Sequence, residues 1–176
     1  MTQYIALLRG VNVGGITVRS AELRSVFEDL SFDEVRTVLA SGNVVFEETR
    51  PAASGALKQR IEQALRDRFG YDAWIVLVTA GQVEQVVEAF PFDASDAARQ
   101  PWVVFGSDET VLDELVASAG EPDPDVDPIA RGDGVVYWNP VKGTTVQTPF
   151  AKLLAKPRFK PTTTNRNLRT LRKLLA

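Results

Sequence analysis

Hydrophobic residues between positions 3 and 79 repeat with two different periods in turn, and the order of those periods leaves few topologies open. Residues 3–9 read as a strand, and the unbroken apolar run Ile5-Ala6-Leu7-Leu8 indicates burial on both faces. Leu23, Val26, Phe27 and Leu30 follow at helical spacing, with Ser20 as the expected N-cap. Residues 34–40 and 43–48 read as strands joined by Ser41-Gly42, a turn with hairpin chemistry. Leu57, Ile61, Leu65 and Phe69 step by four along an amphipathic helix that Gly70 ends, and residues 74–78 form another apolar strand. Strand, helix, strand, strand, helix, strand is the split βαβ, or ferredoxin-like, arrangement. Helices cover one face of such a sheet. The strands are apolar on both alternations, so the second half of the chain or a second copy is expected to cover the other face.

The second half shows a similar order. Thr79 is the expected cap of a helix carrying Val83, Val86, Val87 and Phe90, and residues 102–105 read as a strand. Ser107 is the expected cap of a helix with Leu112, Leu115, Val116 and Ala119 inward. A hairpin is expected around Gly132-Asp133-Gly134, then a short helix from Thr148, extended chain over 157–164, and a final helix over 165–175. The fold expectation is therefore α+β: two ferredoxin-like subdomains sharing a core, the second degenerate. The first spans 1–79 and the second spans 80–176, with a C-terminal basic helix. The boundary falls between Ala80 and Gln100.

Composition excludes several chemistries. The 176 residues contain no cysteine and no histidine. A thiolate nucleophile, a disulfide, a His-based triad and thiolate or imidazole metal sites are thus ruled out. No metal and no cofactor is expected. The start of the chain lacks a charged leader, and no apolar run approaches spanning length, so a cytoplasmic protein without a membrane partner is expected. Charge is unevenly placed: residues 1–83 are net −1, residues 84–141 net −11 and residues 142–176 net +9. A basic end on an acidic body either binds a polyanion or faces the acidic region within one fold.

The motifs resemble a known family. Ala6-Leu7-Leu8-Arg9-Gly10-Val11-Asn12-Val13-Gly14-Gly15, Ala21-Glu22-Leu23, Val35-Arg36-Thr37 and Ser41-Gly42-Asn43-Val44-Val45-Phe46 are similar to the bacterial domain-of-unknown-function 1697 family. Arg166-Asn167-Leu168-Arg169-Thr170-Leu171 resembles that family's terminal Arg-Asn-Trp-x-Thr-Val motif, with Leu168 in the tryptophan's place. Ile16-Thr17-Val18 stands where members often carry basic residues. The resemblance implies two ferredoxin-like subdomains and brings no activity or substrate with it.

In a split βαβ unit, the end of the first strand, the turn between the second and third, and the start of the fourth lie on one edge. That edge is expected to gather Arg9, Asn12, Gly14, Gly15, Ser41 and Asn43, with Tyr71 and Asp72. Glycines let a ligand approach the backbone, amide N–H groups cradle an anion, and arginine offers a forked cation. The plainer reading is that the glycines serve the turn and the asparagines bond to their own backbone. The spacing matches neither GxGxxG nor GxxxxGK[ST], and Asn43-Val44-Val45-Phe46 lacks the aromatic pattern of an RNA-recognition sheet. A second candidate group is Arg166, Asn167 and Arg169 on the basic end, where cations, hydroxyls and amides suit phosphate contacts. Asp123, Asp125 and Asp127 read as a solvated acidic loop.

The expected function is non-enzymatic binding of an anionic ligand, a nucleotide or a nucleic-acid phosphate. The alternatives are an enzyme acting on a small phosphorylated or carboxylated substrate, and a homodimeric interaction module.

Overall fold

The computed structural model describes residues 1–9, 17–39, 42–50 and 53–176. They form two units, Met1–Val83 with Lys173–Ala176, and Glu84–Arg172.

The first unit contains β1 (Thr2–Leu8), α1 (Ser20–Asp29), β2 (Asp33–Thr37), β3 (Asn43–Glu48), α2 (Ser54–Phe69) and β4 (Ile75–Thr79). The sheet order is β2-β3-β1-β4, with neighbouring strands antiparallel. Alternation divides β1 as the pleat requires. Ala6 and Leu8, with Val44, Phe46 and Ile75, pack with Leu23, Val26 and Phe27 of α1 and Leu57, Ile61 and Leu65 of α2. Phe46 is the hub: its ring lies 4.4 Å from Phe32, 5.3 Å from Phe27 and 5.6 Å from Tyr4. Ile5, Leu7 and Val45 on the opposite alternation are fully buried too. Both faces of these strands are therefore withdrawn from water, as their continuous apolar runs require.

Helix ends follow local chemistry. Gly70 ends α2 at φ +67°, and its N–H donates to the Arg66 carbonyl at 2.9 Å. The N-cap of α1 is Arg19 rather than Ser20. Arg19 has extended backbone, its carbonyl accepts the first helical bond from Leu23, and Ser20 is already helical. At the next helix, α3 (Ala80–Glu88), Thr79 Oγ1 accepts from Gln82 N–H at 3.1 Å. Gln82 Oε1 returns the bond by accepting from Thr79 N–H at 2.9 Å, which completes a capping box.

The second unit contains β5 (Trp102–Gly106), α4 (Glu109–Ala119), β6 (Ile129–Gly132), β7 (Val135–Trp138), α5 (Pro149–Leu154), β8 (Thr163–Asn167) and most of α6 (Leu168–Leu175). Its sheet order, β6-β7-β5-β8, repeats the order of the first unit. Val104, Val136 and Trp138 pack with Leu112 and Leu115 of α4 and Phe150 and Leu153 of α5. Asp108, not Ser107, caps α4: its carboxylate accepts from Val111 N–H at 2.9 Å, and the shorter serine stands one residue too early.

The larger correction is β8. Residues 165–167 belong to a strand, not to the final helix, so the second unit carries four strands and is not the reduced copy expected. Thr163 and Thr164 favour extended chain, and pairing with β5 outweighs the helical pattern beyond them. Thr164 stands opposite Phe105 and Arg166 opposite Val103. Asn167 then caps α6, its Oδ1 accepting from Arg169 N–H at 2.8 Å, and Leu168, Leu171 and Leu174 are fully buried.

Candidate functional site

Register sets the end of β1 beside the starts of β3 and β4. Leu8 at the end of β1 stands opposite Ile75 at the start of β4, and Leu7 stands opposite Asn43 at the start of β3. Leu8 N–H donates to the Gly42 carbonyl at 2.8 Å. Arg9 follows immediately and is half-buried, and this desolvation lowers the pKa of its guanidinium. Tyr71 and Asp72 stand in the connection between α2 and β4. The Tyr71 hydroxyl is buried with no hydrogen-bond partner among the described residues, and burial pushes its pKa up to about 12.

Asn43 serves the turn itself. It is fully buried, its Nδ2 donates to the Val38 carbonyl at 2.8 Å, and Val38 N–H donates back to the Asn43 carbonyl at 3.0 Å. Asn12, Gly14, Gly15 and Ser41 lie outside the described residues.

The second candidate group separates into different roles within its own unit. Arg166 is only 5% exposed. Its Nη1 donates to Thr164 Oγ1 at 2.6 Å and to the Asn165 carbonyl at 2.9 Å, and burial pushes its pKa down to about 10. It is a cation held inside the fold, contrary to the expected outward basic helix. Asn167 is the cap of α6. Arg169 remains exposed, as do Arg172 and Lys173.

The second unit also holds a cleft that the sequence did not assemble. It has a volume of about 630 Å³ and lies between the end of α4, the loop over 121–128 and α5. Asp127 in that loop is 1% exposed and accepts Phe150 N–H at 2.9 Å, so it ties the loop to α5 instead of lying in solvent. Arg99 donates to the carbonyls of Pro124, Asp125, Val126 and Asn139 at 3.1–3.4 Å. The clue in the sequence was Lys152 in α5 and Lys156 just beyond its end. Nothing in the sequence showed which loop they would face. Among the described residues no group of three or more carboxylates is placed to hold a metal ion, and no helix is long and apolar enough to cross a membrane.

The comparisons with known proteins agree with this architecture. The structure is similar to that of conserved bacterial protein SP0830 from Streptococcus pneumoniae, with a TM-score of 0.82 and 24% sequence identity over 98% of this chain and 96% of that one. At that identity the likeness speaks to the fold. No curated protein matches the chain. The family model described as a protein of unknown function, DUF1697, matches residues 1–137, which take in the Arg9–Gly15 and Ser41–Phe46 motifs and stop short of the terminal Arg166-Asn167 motif. The chain therefore belongs to the DUF1697 family of proteins of unknown function.

Proposed function

We propose that the protein binds an anionic ligand, a nucleotide or a nucleic-acid phosphate, at the sheet edge formed by the end of β1 and the starts of β3 and β4. The observation that carries this reading is the register at that edge. It sets the end of β1, which Arg9 follows directly, beside the start of β4, and burial has already lowered the guanidinium's pKa. A cation partly stripped of water gains more from a phosphate than a fully solvated one, because less water is displaced when the ion pair forms. Asn43 positions the turn in this reading and does not touch the ligand. Arg166 likewise supports β8 in this reading and does not touch the ligand.

The homodimer alternative needed an exposed apolar sheet face, and Ile5, Leu7 and Val45 are not exposed. We also read both units as ferredoxin-like subdomains, a reading that the repeated strand order supports. The test is titration of a labelled mononucleotide, a single-stranded RNA and a DNA duplex at low and moderate salt. Salt-sensitive binding of any of them supports the reading, and no binding of any at low salt refutes it.

A further inference from the structure

The cleft in the second unit shares no residue with the Arg9 edge, and its lining combines charges of both signs with apolar side chains. On the α5 side stand Lys152, in the helix, and Lys156, two residues beyond its end, both exposed. On the loop side stands exposed Glu121, with Asp123 beyond it. Phe150, Leu153 and Val126 complete the lining with apolar side chains. Among the described residues, no ion pair engages Lys152, Lys156 or Glu121. The walls are also built in advance. Asp127 ties the loop to α5, and the fork of Arg99 gathers the loop carbonyls, so a ligand would not have to order the loop on binding.

We propose that this cleft binds a small apolar zwitterion: an amino acid or short peptide with a hydrophobic side chain. Its carboxylate would meet Lys152 and Lys156, its ammonium would meet Glu121, and its side chain would rest on Phe150 and Leu153. Each simpler ligand leaves part of the lining opposed or unused. A plain anion meets Glu121 and Asp123, a plain cation meets the two lysines, and a neutral hydrocarbon leaves both sets of charges idle. The volume of about 630 Å³ suits a dipeptide and lies within the usual range for small-molecule sites.

The test is titration of leucyl-leucine, its N-acetyl derivative and its C-terminal amide into the full chain, followed by backbone amide NMR shifts. The free dipeptide is expected to give saturable shifts at Ala119, Val126, Phe150 and Leu153. Each blocked form is expected to bind about threefold or more weakly, the scale of one exposed ion pair. The double variant Lys152→Gln/Lys156→Gln should weaken the free dipeptide and leave the amide unchanged. Glu121→Gln should weaken the free dipeptide and leave the N-acetyl form unchanged. All three side chains are exposed, so the variants retain the fold, and unchanged resonances elsewhere would verify this. The proposal is overturned by an absence of saturable shifts, by equal binding of free and blocked dipeptides, or by inorganic phosphate alone shifting the same amides as tightly.

Discussion

Arg166 Nη1 donates to Thr164 Oγ1 at 2.6 Å, two residues back along β8, and so fixes a charged guanidinium in the interior of the fold. A cation in that position is a structural element. Replacing Arg166 with alanine would strand the Thr164 hydroxyl and leave a void, and the expected loss is about 1–3 kcal/mol of stability in urea unfolding. Arg169→Ala, on the exposed side of α6, should stay within about 0.5 kcal/mol of wild type. Equal stability for the two variants would contradict the placement of Arg166.

Phe46 joins Phe27, Phe32 and Tyr4 into one aromatic cluster at ring distances of 4.4–5.6 Å. Truncating a fully buried phenylalanine removes its contacts and opens a cavity, so Phe46→Ala should cost about 3–5 kcal/mol. A thermal melt reads this directly. A shift of only a degree or two would mean that the cluster is not the hub of the first unit.

Glycines at two positions should respond in opposite directions. A Cβ on Gly132 would lie 2.5 Å from Tyr137 Cε2 and 2.9 Å from Val135 Cγ2, while Tyr137 is held by its hydroxyl, which donates to the Val86 carbonyl at 2.7 Å. Gly132→Ala should therefore cost about 1–3 kcal/mol through overpacking. Gly55, in the first turn of α2, has nothing within 4 Å of the position a methyl group would take, and Gly55→Ala should stabilise by up to about 1 kcal/mol. Chemical denaturation of both variants checks the pair.

Glu48 predicts how the fold responds to acid. Its carboxylate is buried and accepts from Arg50 Nε and Nη2, each at 3.0 Å, and from Arg50 N–H at 2.9 Å. These bonds, the Arg50 side chain first among them, hold its pKa below the unfolded value. A depressed carboxylate binds fewer protons when folded, so its contribution is complete above the unfolded pKa and is lost as pH falls through the folded one. Glu48→Gln should thus lower stability at neutral pH and flatten the decline below the ordinary glutamate range. Parallel curves of stability against pH for the variant and wild type would contradict the assignment.

The parts of the fold governed by local periodicity could be read from the chain. The continuous apolar runs of β1 and β3 announced burial on both faces, and Gly70 and Thr79 marked helix boundaries through their own geometry. β8 could not be read in this way. Thr163–Asn167 becomes a strand because β5 lies beside it, a partner some sixty residues earlier, and the leucine spacing beyond it resembles a helix that simply begins sooner. The site shows the same division. Chain order was enough to bring Arg9 and Asn43 to one edge, since strand direction decides that. The conversion of Asn43 into a buried turn brace and of Asp127 into a tie to α5 depends on burial that no single stretch of sequence carries.

The most direct measurement is a fluorescence-anisotropy titration of wild type and Arg9→Ala with a labelled mononucleotide and a labelled single-stranded RNA, at low and moderate salt, after circular dichroism has shown both proteins folded. Wild type should bind in a salt-sensitive way, and Arg9→Ala should lose about tenfold or more, the scale of one charge-assisted hydrogen-bonded contact. Equal binding by the two folded proteins, or no binding by wild type at low salt, would contradict this expectation.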